Sequence, residues 1–198
     1  MLGTAAIVLP LQQPIKLAKA AATIENLSDG RLLLGLGLGD RPVEFPMYGI
    51  NYQERPKLFK AHLKIMQEAW KIESDLSQFY PFLKQDVAVY PKPKNKIPLV
   101  IAGHSGQSME WIAKNANGWF NYPRTPEETY LFQKKWCEAL YDTDQACKPY
   151  ISAFHLNLLK DDNAEFRPHR FGGGVGVNHL TELLKSYEEI GVNHMALH

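Results

Sequence analysis

Cysteine is nearly missing from this chain. Cys137 and Cys147 are its only two, too few for a disulfide framework and not placed at a metal-ligand spacing. Both are expected to be reduced thiols of a cytoplasmic protein. Excess charge of either sign is missing as well, since the formal net charge is +1 over 198 residues. That balance excludes the basic stripe a nucleic-acid binder needs to neutralise phosphates. No block of like charge marks a disordered tail. Long apolar runs are absent too. The opening stretch Met1 to Pro10 is apolar, but it has no basic leader and no longer run behind it, so neither a signal peptide nor a membrane span is expected. What is present is 45% hydrophobic and 22% charged residues, the make-up of a soluble enzyme. The length reads as one domain over residues 1–198 with a sizeable core.

Short apolar runs alternate with amphipathic helical stretches along the chain. Thr4 to Leu9 reads as a strand buried on both faces. Pro14 opens a helix with Leu17, Ala21, Ile24 and Leu27 on one side, and Gly30 suits the left-handed turn that ends it. Arg31 to Leu38 is the next strand, followed by a helix from about Glu54 to Trp70 bearing Leu58, Ala61, Ile65 and Ala69 on one stripe. Residues 72–97 have no clear period and read as an excursion. A strand over Ile97–Ala102 precedes a helix with Met109, Ile112, Ala113 and Ala116. Gly118 to Tyr122 is a further strand. Thr125 and Glu128 form a capping box, with Pro126 at the first helical position, before a helix over Tyr130–Leu140. Tyr150 to Leu159 is a strand, and Asp161 to Val177 reads as a loop around Gly172-Gly173-Gly174. A last helix carries Leu180, Leu183, Leu184 and Tyr187, and Val192 to His198 is a final strand. The alternation implies an α/β fold with a parallel sheet and right-handed crossovers. A complete (β/α)8 TIM-type barrel takes roughly 250 residues and eight strands. The expectation is therefore an incomplete barrel of about six strands, lacking the first two strand–helix units.

Chemistry concentrates in Ile101-Ala102-Gly103-His104-Ser105-Gly106-Gln107-Ser108-Met109, where a strand ends, a small-residue loop turns and a helix begins. Backbone amides and the helix dipole favour an anion there, Gly103 and Gly106 allow close approach, and Ser105 and Ser108 add hydroxyls. An ordinary turn with serine caps explains the residues about as well. Gly35-Leu36-Gly37-Leu38-Gly39-Asp40 is not the dinucleotide fingerprint. Small residues beside a flat ring suit it better, and packing suits it nearly as well. Arg55 precedes a helix and offers a planar donor fork, although a solvated arginine near Glu54 accounts for it better. Arg41 and Glu44 are expected to pair and order their loop. The chain has seven histidines, His104, His155, His169 and His194 among them. None shares a helix with another at metal spacing, and Ser105 is not in a nucleophile elbow.

Taken together, several segments resemble the luciferase-like flavin-dependent monooxygenases, in particular the luciferase-type oxidoreductases. They are Leu2-Gly3-Thr4 with Val8-Leu9-Pro10, Pro14 and Ala18, Leu27-Ser28-Asp29-Gly30-Arg31-Leu32, Gly35-Leu36-Gly37, Gly39-Asp40-Arg41-Pro42-Val43-Glu44-Phe45, Gly103 to Trp111, and Gly191-Val192-Asn193-His194. The resemblance covers nearly the whole chain. It implies FMN, or in some relatives the deazaflavin F420, held in a (β/α)-barrel. Its phosphate would meet Gly103, His104, Ser105, Gly106 and Ser108, with Arg55 matching an arginine of the family at the start of the preceding helix. Leu38, Gly39 and Asp40 would run along the flavin, with leucine where bacterial luciferase has an arginine. Val8-Leu9-Pro10 would end on the far side of the ring, near an unusual peptide bond.

The implied chemistry is addition of oxygen to reduced flavin and attack on a small organic substrate, the protein orienting the ring and excluding water. Reduced flavin would come from a separate reductase. The catalytic histidine of luciferase belongs to the upstream region, so no catalytic residue is assigned. Open sheet edges imply a homo-oligomer. The alternative is a non-catalytic, truncated flavin-binding or oligomerising remnant of the family.

Overall fold

A strand covered on both faces needs no polar alternation, and Leu32-Leu33-Leu34-Gly35-Leu36-Gly37 forms such a strand, β3 (Leu32–Gly37). It is central to the first of two units into which the chain divides, Met1–Gln107 and Ser108–His198. The computed structural model describes residues 1–85, 87–122 and 124–198. β3 pairs in parallel with β1 (Leu2–Gly3), β2 (Ile7–Val8) and β4 (Leu99–Ala102).

The single strand expected over Thr4–Leu9 is broken. Leu2 and Gly3 align with Leu32 and Leu33, whereas Ile7 and Val8 align with Leu36 and Gly37. Thr4, Ala5 and Ala6 therefore span the place of Leu34 and Gly35, one residue too many for a regular ladder. Thr4 closes the gap: its hydroxyl donates to Gly35 O at 2.9 Å and accepts from Gly35 N at 2.9 Å. The Ala5–Ala6 peptide bond is cis.

Helix α1 (Pro14–Ser28) starts where the Gln13 side chain accepts from Lys16 N, and it ends on left-handed Asp29 and Gly30. Its inward face differs from the expected one. Ala18, Ala21, Ala22, Glu25 and Ser28 are buried, while Ile24 and Leu27 are 45% and 81% exposed. The small residues let α1 lie close against α2 (Arg55–Trp70), where Trp70 Nε1 donates to Ala18 O at 2.9 Å. In α2, Ile65 and Ala69 are buried as expected, joined by Phe59, Leu63 and Met66. Between α2 and β4 the described residues form neither helix nor strand, as the missing period implied. Glu68 anchors the start of that excursion, accepting from Lys71 Nζ at 2.6 Å and Asp75 N at 3.0 Å.

The second unit contains α3 (Met109–Asn115), β5 (Gly118–Asn121), α4 (Pro126–Asp142), β6 (Tyr150–Leu158), β7 (Arg167–His169), β8 (Gly172–Val175), α5 (Val177–Ile190) and β9 (Val192–Leu197). β6 pairs in parallel with β5, β8 and β9. Trp119, Trp136 and Tyr150 pack at its centre, with Trp119 edge-on to Tyr150 at 5.3 Å between ring centroids. The loop expected over Asp161–Val177 instead holds β7 and β8, antiparallel to each other. The glycines serve close packing there. A Cβ on Gly172 would lie 2.2 Å from His155 O, and one on Gly173 would lie 2.1 Å from the Phe166 ring. Cys137 and Cys147 are free and exposed. Among the described residues no helix is long and apolar enough to cross a membrane.

Candidate cofactor site

The loop after β4 turns through three left-handed residues, Gly103, Ser105 and Gly106, at φ of 57°, 47° and 68°. Ser105 is buried, and its hydroxyl donates to Ala102 O at 2.9 Å, so the side chain shapes the loop from within. Gln107 N donates to His104 O at 2.8 Å and closes the turn. His104 and Gly106 face outward, and a Cβ on Gly103 would meet nothing within 4 Å. The turn is thus open along its outer rim.

Ser108 begins the second unit as the N-cap of α3, its hydroxyl oxygen accepting from Trp111 N at 3.2 Å. The Glu110 carboxylate bonds to the Ser108 hydroxyl and to its own backbone amide, which holds its pKa below the usual carboxylate range. The first turn of this short helix therefore already carries an anion of the protein's own.

Arg55 opens α2, with Pro56 in its first turn. Its guanidinium stacks on Tyr52 with Cζ 3.4 Å from the ring centroid, and Nη1 donates to Tyr52 O at 2.8 Å. Nε is buried and has no hydrogen-bond partner among the described residues. A donor left in that state costs about 1–3 kcal/mol unless a ligand satisfies it. Rather than standing solvated near Glu54, Arg55 is half-buried, and no ion pair joins the two among the described residues.

Gln107, which the sequence did not single out, ties this helix start to the loop. Its buried amide donates to Pro56 O at 3.1 Å and to Ser105 O at 3.1 Å. A Cβ on Gly106 would lie 2.8 Å from Pro56 Cβ and 3.4 Å from Leu38 Cδ2. Leu38, Pro56, Gly106 and Gln107 are thereby gathered in one place.

Beyond them the strand ends are lined by small residues. Gly37 is buried, and a Cβ on it would lie 3.5 Å from Ala6 Cβ and 3.8 Å from Ala102 Cβ, so three small residues meet beside the cis Ala5–Ala6 peptide. Gly39 is left-handed and wedged against Val8 and Phe45, and Asp40 lies exposed at the end of the stretch. Arg41 and Glu44 pair at 3.5 Å on the surface, as expected.

Elsewhere, in the second unit, three histidines form a row: the ring of His155 lies 5.3 Å from that of His169 and 5.3 Å from that of His198. Gly172 of β8 sits between His155 and His169 in register. No group of His, Cys, Asp and Glu among the described residues is arranged to hold a metal ion.

Helices alternating with parallel strands, and a small-residue loop at the end of β4, define an α/β chain of incomplete (β/α)-barrel type, and solved structures agree. An F420-dependent secondary alcohol dehydrogenase in complex with an F420–acetone adduct matches with a TM-score of 0.75 at 15% identity, over 98% of this chain and 72% of that one. The oxygenating constituent of 3,6-diketocamphane monooxygenase from Pseudomonas putida, a type II Baeyer–Villiger monooxygenase in complex with FMN, matches with a TM-score of 0.63 at 18% identity, over 81% and 49%.

The sequence comparison narrows the class: residues 1–167 match the luciferase-like monooxygenase family model, and the chain belongs to that family. An uncharacterized protein of Mycobacterium tuberculosis is 31% identical over 172 residues, 81% of this chain and 58% of its own length. The pyrimidine monooxygenase RutA of Methylobacterium radiotolerans is 26% identical over 109 residues, 52% and 29%. The chain thus spans well under two thirds of the curated relatives it matches.

Proposed function

We propose that this chain acts as a flavin-dependent oxidoreductase of the luciferase-like monooxygenase type, using reduced FMN and oxygen on a small organic substrate. The observation that carries the reading is the buried, unpartnered Nε of Arg55 on a helix start bonded to the loop through Gln107. Arg55 would bind the cofactor phosphate through a charge-assisted fork, with the rim of the loop at Gly103, His104 and Gly106 beside it. Ser105 would keep the loop in shape. The cluster of small residues Ala6, Gly37 and Ala102 would leave room for a planar ring system, with Leu38, Gly39 and Asp40 along its border. A bound reduced flavin would supply the electrons for oxygen activation, while these residues orient the ring and keep water from it. FMN and F420 both carry a phosphate that Arg55 could meet. The type II Baeyer–Villiger neighbour, solved with FMN, and the family's monooxygenase description favour FMN.

The test is a titration of the purified chain with FMN and, separately, F420, followed by visible absorbance and fluorescence. Saturable FMN binding that weakens about tenfold in Arg55→Ala is expected, since tenfold corresponds to about 1.4 kcal/mol and a charged hydrogen bond contributes about that or more. Tighter binding of F420 would change the cofactor, and absence of binding by either would overturn the reading.

A further inference from the structure

We infer that Tyr52 is a positioning residue for phosphate recognition: it clamps the Arg55 guanidinium in one orientation before a ligand arrives. The inference rests on the proposed cofactor reading and adds to it a residue that makes no contact with the ligand in that scheme.

Three observations carry it. The guanidinium lies 3.4 Å from the centroid of the Tyr52 ring, so the plane of the fork is set by the plane of the ring. Nη1 is committed to Tyr52 O at 2.8 Å, which fixes rotation within that plane. The ring is itself anchored, packed edge-on at 5.1 Å and 82° against Phe45, which is fully buried. With Nη1 taken, Nε and Nη2 remain, and Nε has no partner among the described residues and is covered by the protein's own atoms. A phosphate oxygen would reach Nε only by displacing that cover, and the two N–H groups of that edge would then match two oxygens of a phosphate monoester. An arginine on a free stem loses rotamer freedom when it binds; one already stacked and bonded to its own turn loses less. Tyr52 sits in the short turn Tyr52–Glu54 immediately before α2, so ring and guanidinium are held by consecutive backbone.

The experiment compares FMN with riboflavin, which shares the ring and lacks the phosphate, on wild type, Tyr52→Leu, Tyr52→Phe and Arg55→Lys. Wild type is expected to prefer FMN. Tyr52→Leu should weaken FMN binding about tenfold and leave riboflavin affinity within twofold, a split that general damage to the fold would not produce. Tyr52→Phe keeps the ring and the backbone carbonyl and should bind FMN within twofold of wild type. Arg55→Lys keeps the charge without the planar fork, and adding Tyr52→Leu to it should cost nothing further if the two act as one unit. If Tyr52→Leu does not fold, Tyr52→Met, which also removes the ring, takes its place in the same comparison, with the same selective loss expected. Equal loss of FMN and riboflavin, no loss of either, or additive losses in the double variant would overturn the role of Tyr52 while leaving the cofactor reading intact. A wild type that binds neither FMN nor F420 would overturn that reading, and this inference with it.

Discussion

Single side chains decide whether the loop after β4 can hold its shape. Gly106 is left-handed at φ 68° and sits where a Cβ would come 2.8 Å from Pro56. Gly106→Ala should therefore separate the loop from the start of α2. We expect a fall in FMN affinity by about tenfold or more, with a stability cost of about 1–3 kcal/mol, read by flavin titration and by urea unfolding. Glu68 gives a pH-dependent counterpart. Its hydrogen bonds from Lys71 and from the Asp75 amide hold its pKa below the ordinary value of 4.5. The stability it contributes is present above that value and is lost as pH falls through the lower, folded one. Glu68→Gln should flatten that part of the acid limb in urea midpoints measured from pH 6 to pH 3, with the change confined to the region below about pH 4.5. The loop was a candidate in the sequence because glycines and serines beside an element end have recognisable chemistry, whereas Arg55 entered only through the family resemblance. Gln107 was not, because its partner is a carbonyl 51 residues away and an amide reaching so far leaves no local pattern. Tyr52 was hidden for a similar reason: an aromatic near a helix start reads as core until the cation above it is seen.

At the scale of elements, periodicity located most helices and strands but not always their faces. Leu17, Ala21, Ile24 and Leu27 share a side of α1, yet the buried side follows the alanines and Ser28. Close helix packing against α2 outweighed the burial of larger side chains. The glycine run was misread because a backbone in tight contact and a backbone without contacts have the same sequence signature. Gly173→Ala separates the two readings. In a free loop it would change little, but against the Phe166 ring it should destabilise the chain by at least about 1–3 kcal/mol, measured as a lowered urea midpoint. The interrupted edge strand was equally invisible, since the threonine hydroxyl that replaces backbone pairing at Gly35 looks like any other threonine.

For the whole molecule, the class of fold was readable from the order of segments, and the family from the motifs that resemble it. Among the described residues, β2 has only β3 as a neighbour and β9 has only β6. Strand edges of that kind seek partners, and sedimentation velocity is expected to show a species heavier than one chain. A single monomeric boundary across the micromolar range would contradict that expectation. Such a measurement must reckon with Cys137 and Cys147, both free on the surface of the same unit. Stored in air, these exposed thiols would be open to oxidation into disulfides between chains, which a gel run without reductant would reveal as covalent species unrelated to any edge pairing. The same two thiols offer a use: a maleimide dye placed on them leaves the unit carrying Arg55 unmodified, so flavin binding can be followed on labelled material.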